Sequence, residues 1–281
     1  MIDWLELWSE LVQRREWRFQ ATETADRKDH WHARAQEFDS HVRRRWIKPD
    51  SSRAFVVAML DAFPHATVLD IGAGTGKWAI LLAQHAQRVT AVEPSPSMLE
   101  RLRDNLAAEK ISNVDIVPQP WPVESIVPHD FTLCSHAMYG TSDFAKLITS
   151  IEAATRHTCF LLMRAPALDG VMAEASLHIW GHAYDSANFQ VGLNALWQLG
   201  IYPNVLMEDS GLWEPWVHDS INEALVDAKR RLGLSDVNDH DDFLIDLLRR
   251  RLTLVDGKYV WPRGVRSAMV YWQPAARQSP A

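Results

Sequence analysis

The stretch that most constrains this chain is Val68-Leu69-Asp70-Ile71-Gly72-Ala73-Gly74-Thr75-Gly76-Lys77. An apolar run that reads as a buried strand meets a glycine-rich turn, and a helical pattern follows at once. Glycine has no Cβ and tolerates φ > 0, so such a turn lets bare backbone approach a ligand. The helix behind it aims free N–H groups and partial positive charge at the same place. A second apolar run, Val89-Thr90-Ala91-Val92, ends at Glu93. A carboxylate at the tip of the second strand, about 20 residues past the glycines, is placed to accept hydrogen bonds from ribose hydroxyls. These features describe a nucleoside-binding α/β domain.

A dinucleotide loop needs G-x-G-x-x-G, whose third glycine lets the helix pack closely on the strand. Gly72, Gly74 and Gly76 are spaced G-x-G-x-G instead, and Lys77 stands where that third glycine would fall. With Asp70 two positions before the first glycine and Glu93 in Ala91-Val92-Glu93-Pro94-Ser95, the chain resembles the class I S-adenosylmethionine-dependent methyltransferases of the small-molecule kind. Asn113-Val114-Asp115-Ile116-Val117 is similar to their third strand, and Phe131-Thr132-Leu133-Cys134-Ser135-His136 to their fourth. The resemblance covers about residues 31–166.

The resemblance implies an α/β fold: a doubly wound, Rossmann-like, seven-stranded sheet whose last strand is antiparallel. It implies S-adenosylmethionine as cofactor and methyl transfer to a small-molecule acceptor by in-line displacement at the sulfonium. It assigns cofactor contacts to Gly72, Ala73, Gly74, Glu93, Pro94 and Ser135. Asp70 lies beneath the loop, either binding the amino end of the cofactor or organising the loop itself. The family's acidic adenine acceptor falls at Pro120, which cannot accept in that way. Gln119 and Trp121 remain as candidates, and Trp121 either stacks on the base or covers the core. Trp31-His32-Ala33-Arg34-Ala35-Gln36-Glu37-Phe38-Asp39 resembles a segment that closes the cavity in these enzymes, making Trp31 a lid residue or a plain helix-packing one. Two other readings stand beside this: an NAD-dependent oxidoreductase, and a non-catalytic cofactor-binding regulator.

The alternation of strands and helices supports the doubly wound class. Strands are expected at 68–71, 89–92, 114–117, 131–135, 158–164, 204–208 and 266–272. An amphipathic helix is expected at 3–20, a second from a cap at Asp26 to residue 46, and a third near 51–63. Later helices fall near 76–87, 97–109, 142–155, 186–200, 220–232 and 239–252. Residues 1–63 then form a helical lid region and 64–166 the cofactor-binding core. Residues 167–281 complete the same domain, with substrate loops and a helical insertion before the last strand.

A net charge of −7 argues against a general electrostatic grip on nucleic acid, so no nucleic-acid partner is expected. The basic runs at 43–45, 229–231 and 249–251 read as solvated helix faces. Cys134 and Cys159 fall in neighbouring predicted strands, as buried reduced thiols. His178 and His182 are spaced H-x-x-x-H without the glutamate that a zinc protease motif needs, so no metal is expected. No apolar run approaches the ~18–20 residues of a membrane span, and no leader pattern opens the chain, which points to the cytoplasm. Trp4, Trp8 and Trp17 in the first helix need a docking surface, on the body of the protein or on a second copy in a homodimer.

Methyl transfer requires alignment of a nucleophile opposite the sulfur, and sometimes removal of a proton. His136, closing the fourth strand, is the candidate general base or a pocket-shaping residue, and Tyr139 a candidate orienting group. The aromatic and histidine-rich loops at 178–184 and 213–218 are candidate acceptor contacts.

Overall fold

The apolar runs that end at Ile71 and Val92 pair in parallel, Val68 beside Val89 and Ile71 beside Val92, and both strands are buried. The computed structural model describes residues 2–20, 31, 34–208 and 213–275. Three helices come first: α1 (Trp4–Gln20), α2 (Ala35–Trp46) and α3 (Ser51–Asp61). The alternating core follows as β1 (Thr67–Ile71), α4 (Lys77–His85), β2 (Arg88–Val92), α5 (Pro96–Ala108) and β3 (Val114–Val117). Next come β4 (His129–Ser135), α6 (Phe144–Ala153), β5 (Thr155–Ala165), α7 (Val171–Trp180), α8 (Phe189–Gln198) and β6 (Asn204–Glu208). The chain continues through β7 (Val217–His218), α9 (Ile221–Leu232), α10 (Asp241–Arg251), β8 (Thr253–Val255) and β9 (Lys258–Val260) to β10 (Arg266–Trp272).

The main sheet has seven strands in the order β3-β2-β1-β4-β5-β10-β6, and β10 runs antiparallel to both its neighbours. Strand order reverses between β1 and β4, so a crevice opens beyond their carboxyl ends. One sheet face is covered by α1, α6 and α8, whose Trp8, Phe144, Ile148 and Leu196 pack with Leu69 and Leu161. The other is covered by α3, α4 and α5, whose Leu60, Leu82, Leu99 and Leu102 pack with Val68 and Phe131. Cys134 and Cys159 are buried free thiols on adjacent strands, as expected.

The α1 helix docks on its own chain, the first of the two surfaces expected for it. Trp8 is 0% exposed, its ring 4.4 Å from that of Phe144 and its indole N–H donated to the Thr141 carbonyl at 2.9 Å. Leu7, Leu11 and Val12 are buried in the same cluster. Asp3 holds the helix start by accepting from the Leu5 and Glu6 N–H groups, each at 3.1 Å. The side chain of Trp17 and the cap expected at Asp26 lie outside what is described.

Two features escaped the sequence patterns. The α7 helix is apolar on most sides, so no amphipathic stripe marks it; Val171, Met172 and Ala175 are buried with α9 and α10 in a third cluster. The insertion before β10 is more than a helical pair, because β7, β9 and β8 form a small antiparallel sheet. Strands of two and three residues are too short to show alternation. Asp256-Gly257 between β8 and β9, both at positive φ, is the hairpin signal that was there to be read.

Trp8→Ala should destabilise the fold by about 3–5 kcal/mol, the usual cost of emptying an aromatic core site. Urea unfolding followed by far-ultraviolet circular dichroism measures this, and a loss below about 1 kcal/mol would show that α1 is not part of the cooperative unit.

Candidate functional site

The corner after β1 is built by backbone. The Gly72 and Ala73 N–H groups both donate to the Val92 carbonyl, at 2.8 and 3.1 Å, tying the loop to the end of β2. Gly72 lies at φ 70°, and a Cβ there would fall 2.2 Å from that of Ala137, so only glycine fits between the loop and the segment after β4. Gly76 lies at φ 88° where a Cβ would meet Leu102 at 2.2 Å; this third glycine seats α5 against the loop.

Glu93, almost fully buried, accepts from the Gly74 N–H at 2.9 Å and from the Ser95 N–H at 2.8 Å. Its carboxylate therefore joins the glycine loop to the start of α5. Asp70 is buried on β1, and its Oδ2 has no hydrogen-bond partner. Burial, and then the Glu93 charge nearby, push its carboxyl up to about 7. A buried carboxylate oxygen without a donor is costly, and an ammonium group or an ordered donor in the crevice would relieve it.

The lid segment lies over this corner. The Phe38 ring stands about one van der Waals contact above Gly74, 3.9 Å from where a Cβ would be, and Trp31 packs on Phe38 with ring centres 5.0 Å apart. Asn105 of α5 donates to the Thr75 carbonyl at 2.8 Å and to Asp39 of α2 at 3.1 Å, while Arg43 donates to Asp39 at 2.6 Å. One polar cluster thus fixes α2, α5 and the glycine loop together. Pro94 and Gln119 are exposed at the crevice rim. Trp121 donates its indole N–H to Ser150 Oγ at 2.7 Å and packs on the core, so its present contacts are those of the core-covering reading.

The chain turns sharply after Ser135, with His136 at φ 57°. His136 Nδ1 lies 3.3 Å from the Tyr139 hydroxyl, which itself accepts the Arg164 backbone N–H at 2.6 Å. His136 Nε2 is buried without a partner. Burial, then the Arg45 and Arg164 guanidiniums, hold its imidazole down at about 3, so it is neutral at physiological pH. A base that weak is poorly matched to proton abstraction near neutrality, which favours the pocket-shaping reading. The Trp213 ring stands edge-on to His136 at 5.7 Å, and the Arg45 guanidinium lies over Trp213 at 4.4 Å. Arg45 was expected on a solvated helix face; instead α2 turns it inward onto an aromatic wall. Only the α2 packing reveals this, because nothing local separates Arg45 from Arg43 and Arg44.

Beyond Trp213 is a cavity of about 220 Å³ at the carboxyl end of β5. Its walls include Arg164, Asp185, Trp213, Trp216, Arg231 and Trp261. Trp213 and Trp216 come from the expected 213–218 loop, whereas Arg231 and Trp261 come from the insertion and carried no sequence signal. His178 is stacked on Phe243 at 3.7 Å, a packing role, and no group of metal-binding side chains is present among the described residues. No helix among them is long and apolar enough to cross a membrane.

Residues 68–157 match the family model described as a methyltransferase domain. Over 87 residues the chain is 36% identical to protein-L-isoaspartate O-methyltransferase from Methanoculleus marisnigri, a match covering 28% of this chain and 39% of that one. Over 81 residues it is 26% identical to the probable ribosomal RNA small subunit methyltransferase A of Methanosphaera stadtmanae, covering 29% and 30% of the two chains. The chain thus spans about a third of the length of these curated relatives. In fold it is similar to a SAM-dependent methyltransferase from Thiobacillus denitrificans solved with S-adenosyl-L-homocysteine, with a TM-score of 0.50 at 14% identity, covering 79% of this chain and 90% of that one. The expectation that excluded nucleic acid is corrected by these findings. A relative sharing this domain is named for ribosomal RNA, and net charge describes a whole surface, not the acceptor of one domain.

Burial of Asp70 ties the stability of the fold to pH. Between about pH 4 and 7 the unfolded carboxyl is ionised while the folded one keeps its proton, so this group lowers stability as pH rises through that window. Wild-type stability should therefore fall relative to Asp70→Asn across pH 4–7, and the difference should level off above it. Paired thermal melts in that range test this; a constant difference would show that Asp70 ionises normally.

Proposed function

We propose, from the premise that residues 68–157 are a class I S-adenosylmethionine-dependent methyltransferase domain, that this chain transfers a methyl group to a small-molecule acceptor held in the cavity beside His136. The observation that carries the reading is the juxtaposition of two sites. The glycine corner braced by Glu93 meets the His136 turn at Ala137, and His136 itself meets Trp213 of the arginine- and tryptophan-lined cavity.

The residues present fit the cofactor. The close approach at Gly72 leaves backbone in place of side chains, and the unpartnered Asp70 Oδ2 calls for a cationic donor such as an amino group. When bound, S-adenosylmethionine supplies an electrophilic methyl on a sulfonium. Glu93 would accept from the ribose hydroxyls, Gly72, Ala73 and Gly74 would line the ribose and methionine portion, and Ser135 would border it. Phe38 and Trp31 would cover it and keep water out. Neutral His136 and Tyr139 would shape the passage between the two sites, fixing the approach of the acceptor without taking its proton.

Acceptors of a second kind, nucleotides of RNA, are favoured by the names of relatives such as the ribosomal RNA enzyme. The two readings separate by experiment: release of S-adenosylhomocysteine in the presence of a small-molecule panel supports the first, and release only with RNA the second.

Glu93→Ala should weaken S-adenosylhomocysteine binding by about 1.5–3 kcal/mol, the worth of hydrogen bonds to a charged acceptor, as read by calorimetry. Unchanged affinity in a variant with wild-type stability would remove the proposed ribose site.

A further inference from the structure

We infer that the acceptor is an aromatic carboxylate, its rings between the cavity tryptophans and its anionic group drawn to Arg263 and Arg45. The inference takes the purpose of the cavity from the methyltransferase reading, and its chemistry from the cavity alone.

Among the described residues that line the cavity, guanidiniums outnumber carboxylates: Arg164, Arg231 and Arg263 stand against Asp185 and Glu214. Asp185 is met by Arg164 at 3.7 Å, Arg231 donates to Asp227 at 2.9 Å, and Glu214 pairs with Lys48. Arg263 lines the cavity and Arg45 backs its Trp213 wall. Among the described residues neither has a carboxylate within 4.0 Å. Both guanidiniums thus keep donors free of a close ion pair among the described residues, with Asp50 only at longer range from Arg45 and Glu214, already paired with Lys48, at longer range from Arg263. The same positive field reaches His136, where Arg45 and Arg164 oppose protonation.

The aromatic walls point the same way. Indole faces attract cations, and a cationic acceptor would be the ordinary expectation for a tryptophan-lined space. Here guanidiniums already cover two of the three lining indoles. Arg231 covers Trp216 at 3.5 Å and Arg45 covers Trp213 at 4.4 Å. An incoming cation would meet guanidinium on both. An incoming anion meets a charge-assisted donor, and a planar guanidinium matches a carboxylate in two parallel hydrogen bonds. Trp216 and Trp261 meet edge to face at 5.1 Å, forming an aromatic corner in the cavity wall against which a ring system can pack. In this assignment the carboxylate is the handle that orients the molecule.

The test is calorimetric titration of the full chain with 2-naphthoate, its uncharged isostere 2-naphthamide, and uridine 5′-monophosphate, with S-adenosylhomocysteine titrated separately. The carboxylate should bind about tenfold or more tightly than the amide at low salt, as a charge-assisted contact implies. The gap should narrow with added salt and in Arg263→Gln or Arg45→Gln. Arg263 is exposed and makes no ion pair within 4.0 Å among the described residues, so its substitution leaves the fold intact. A carboxylate that binds no better than the amide, or not at all, overturns the inference, as does a gap unchanged in both variants. Tighter binding of the nucleotide than of the carboxylate also overturns it, in favour of a nucleotide site. S-adenosylhomocysteine binding without the gap sinks this inference alone. The gap without S-adenosylhomocysteine binding sinks the methyltransferase reading and leaves this one standing.

Discussion

The carboxylate of Glu93 accepting the Gly74 N–H is the contact on which the cofactor half of the molecule depends. It converts two adjacent strand ends into one rigid corner, with Ser95 and the start of α5 held by the other carboxylate oxygen. Buried in this way, the carboxylate is satisfied by backbone donors, which stabilise its charge more than solvent-exposed partners would. The glycines make the corner possible. Their backbone φ values and the absent Cβ atoms let the segment after β4 and the Leu102 side chain close in on the loop.

Around that corner the structure divides its labour. The parallel strands and the helices on both faces supply rigidity, through two apolar clusters that meet only through the sheet. The N-terminal helices add a cover: α1 is bolted to one face by Trp8, and α2 is laid across the glycine loop by the Asp39, Arg43 and Asn105 cluster. The insertion before β10 adds the remaining wall. Its Arg231, fixed by Asp227, and its Trp261, donating to His218 at 3.0 Å, are positioned by packing within the third cluster. The glycine corner thus belongs to the alternating core, while the cavity walls are assembled largely from segments outside it.

Asp70 and His136 show how burial sets protonation in this crevice. Asp70 is buried and His136 half-buried with its Nε2 atom shielded, and each is driven toward its neutral form, the carboxyl upward and the imidazole downward. The partner charges reinforce the effect, since Glu93 faces Asp70, and two guanidiniums face His136. A histidine at the end of a strand beside a ligand crevice invites a catalytic reading from sequence. Its surroundings argue for a neutral ring packed between Tyr139 and Trp213.

By itself the sequence determined the strand–glycine–strand corner, the seven strands, the antiparallel closing strand and the placement of Glu93. These depend on local rules: glycine where φ must be positive, alternation of buried runs with amphipathic helices, and a carboxylate at a strand tip. Tertiary structure decided what local rules cannot encode. Whether Arg45 faces water or an indole, whether Trp8 docks on this chain or another, and which guanidiniums keep a counter-ion depend on residues far apart in sequence, such as Arg45 with Trp213 and Arg231 with Trp216. The β7–β9 sheet and the cavity walls were hidden for the same reason: short strands and single side chains gain their meaning only from the neighbours that folding brings to them.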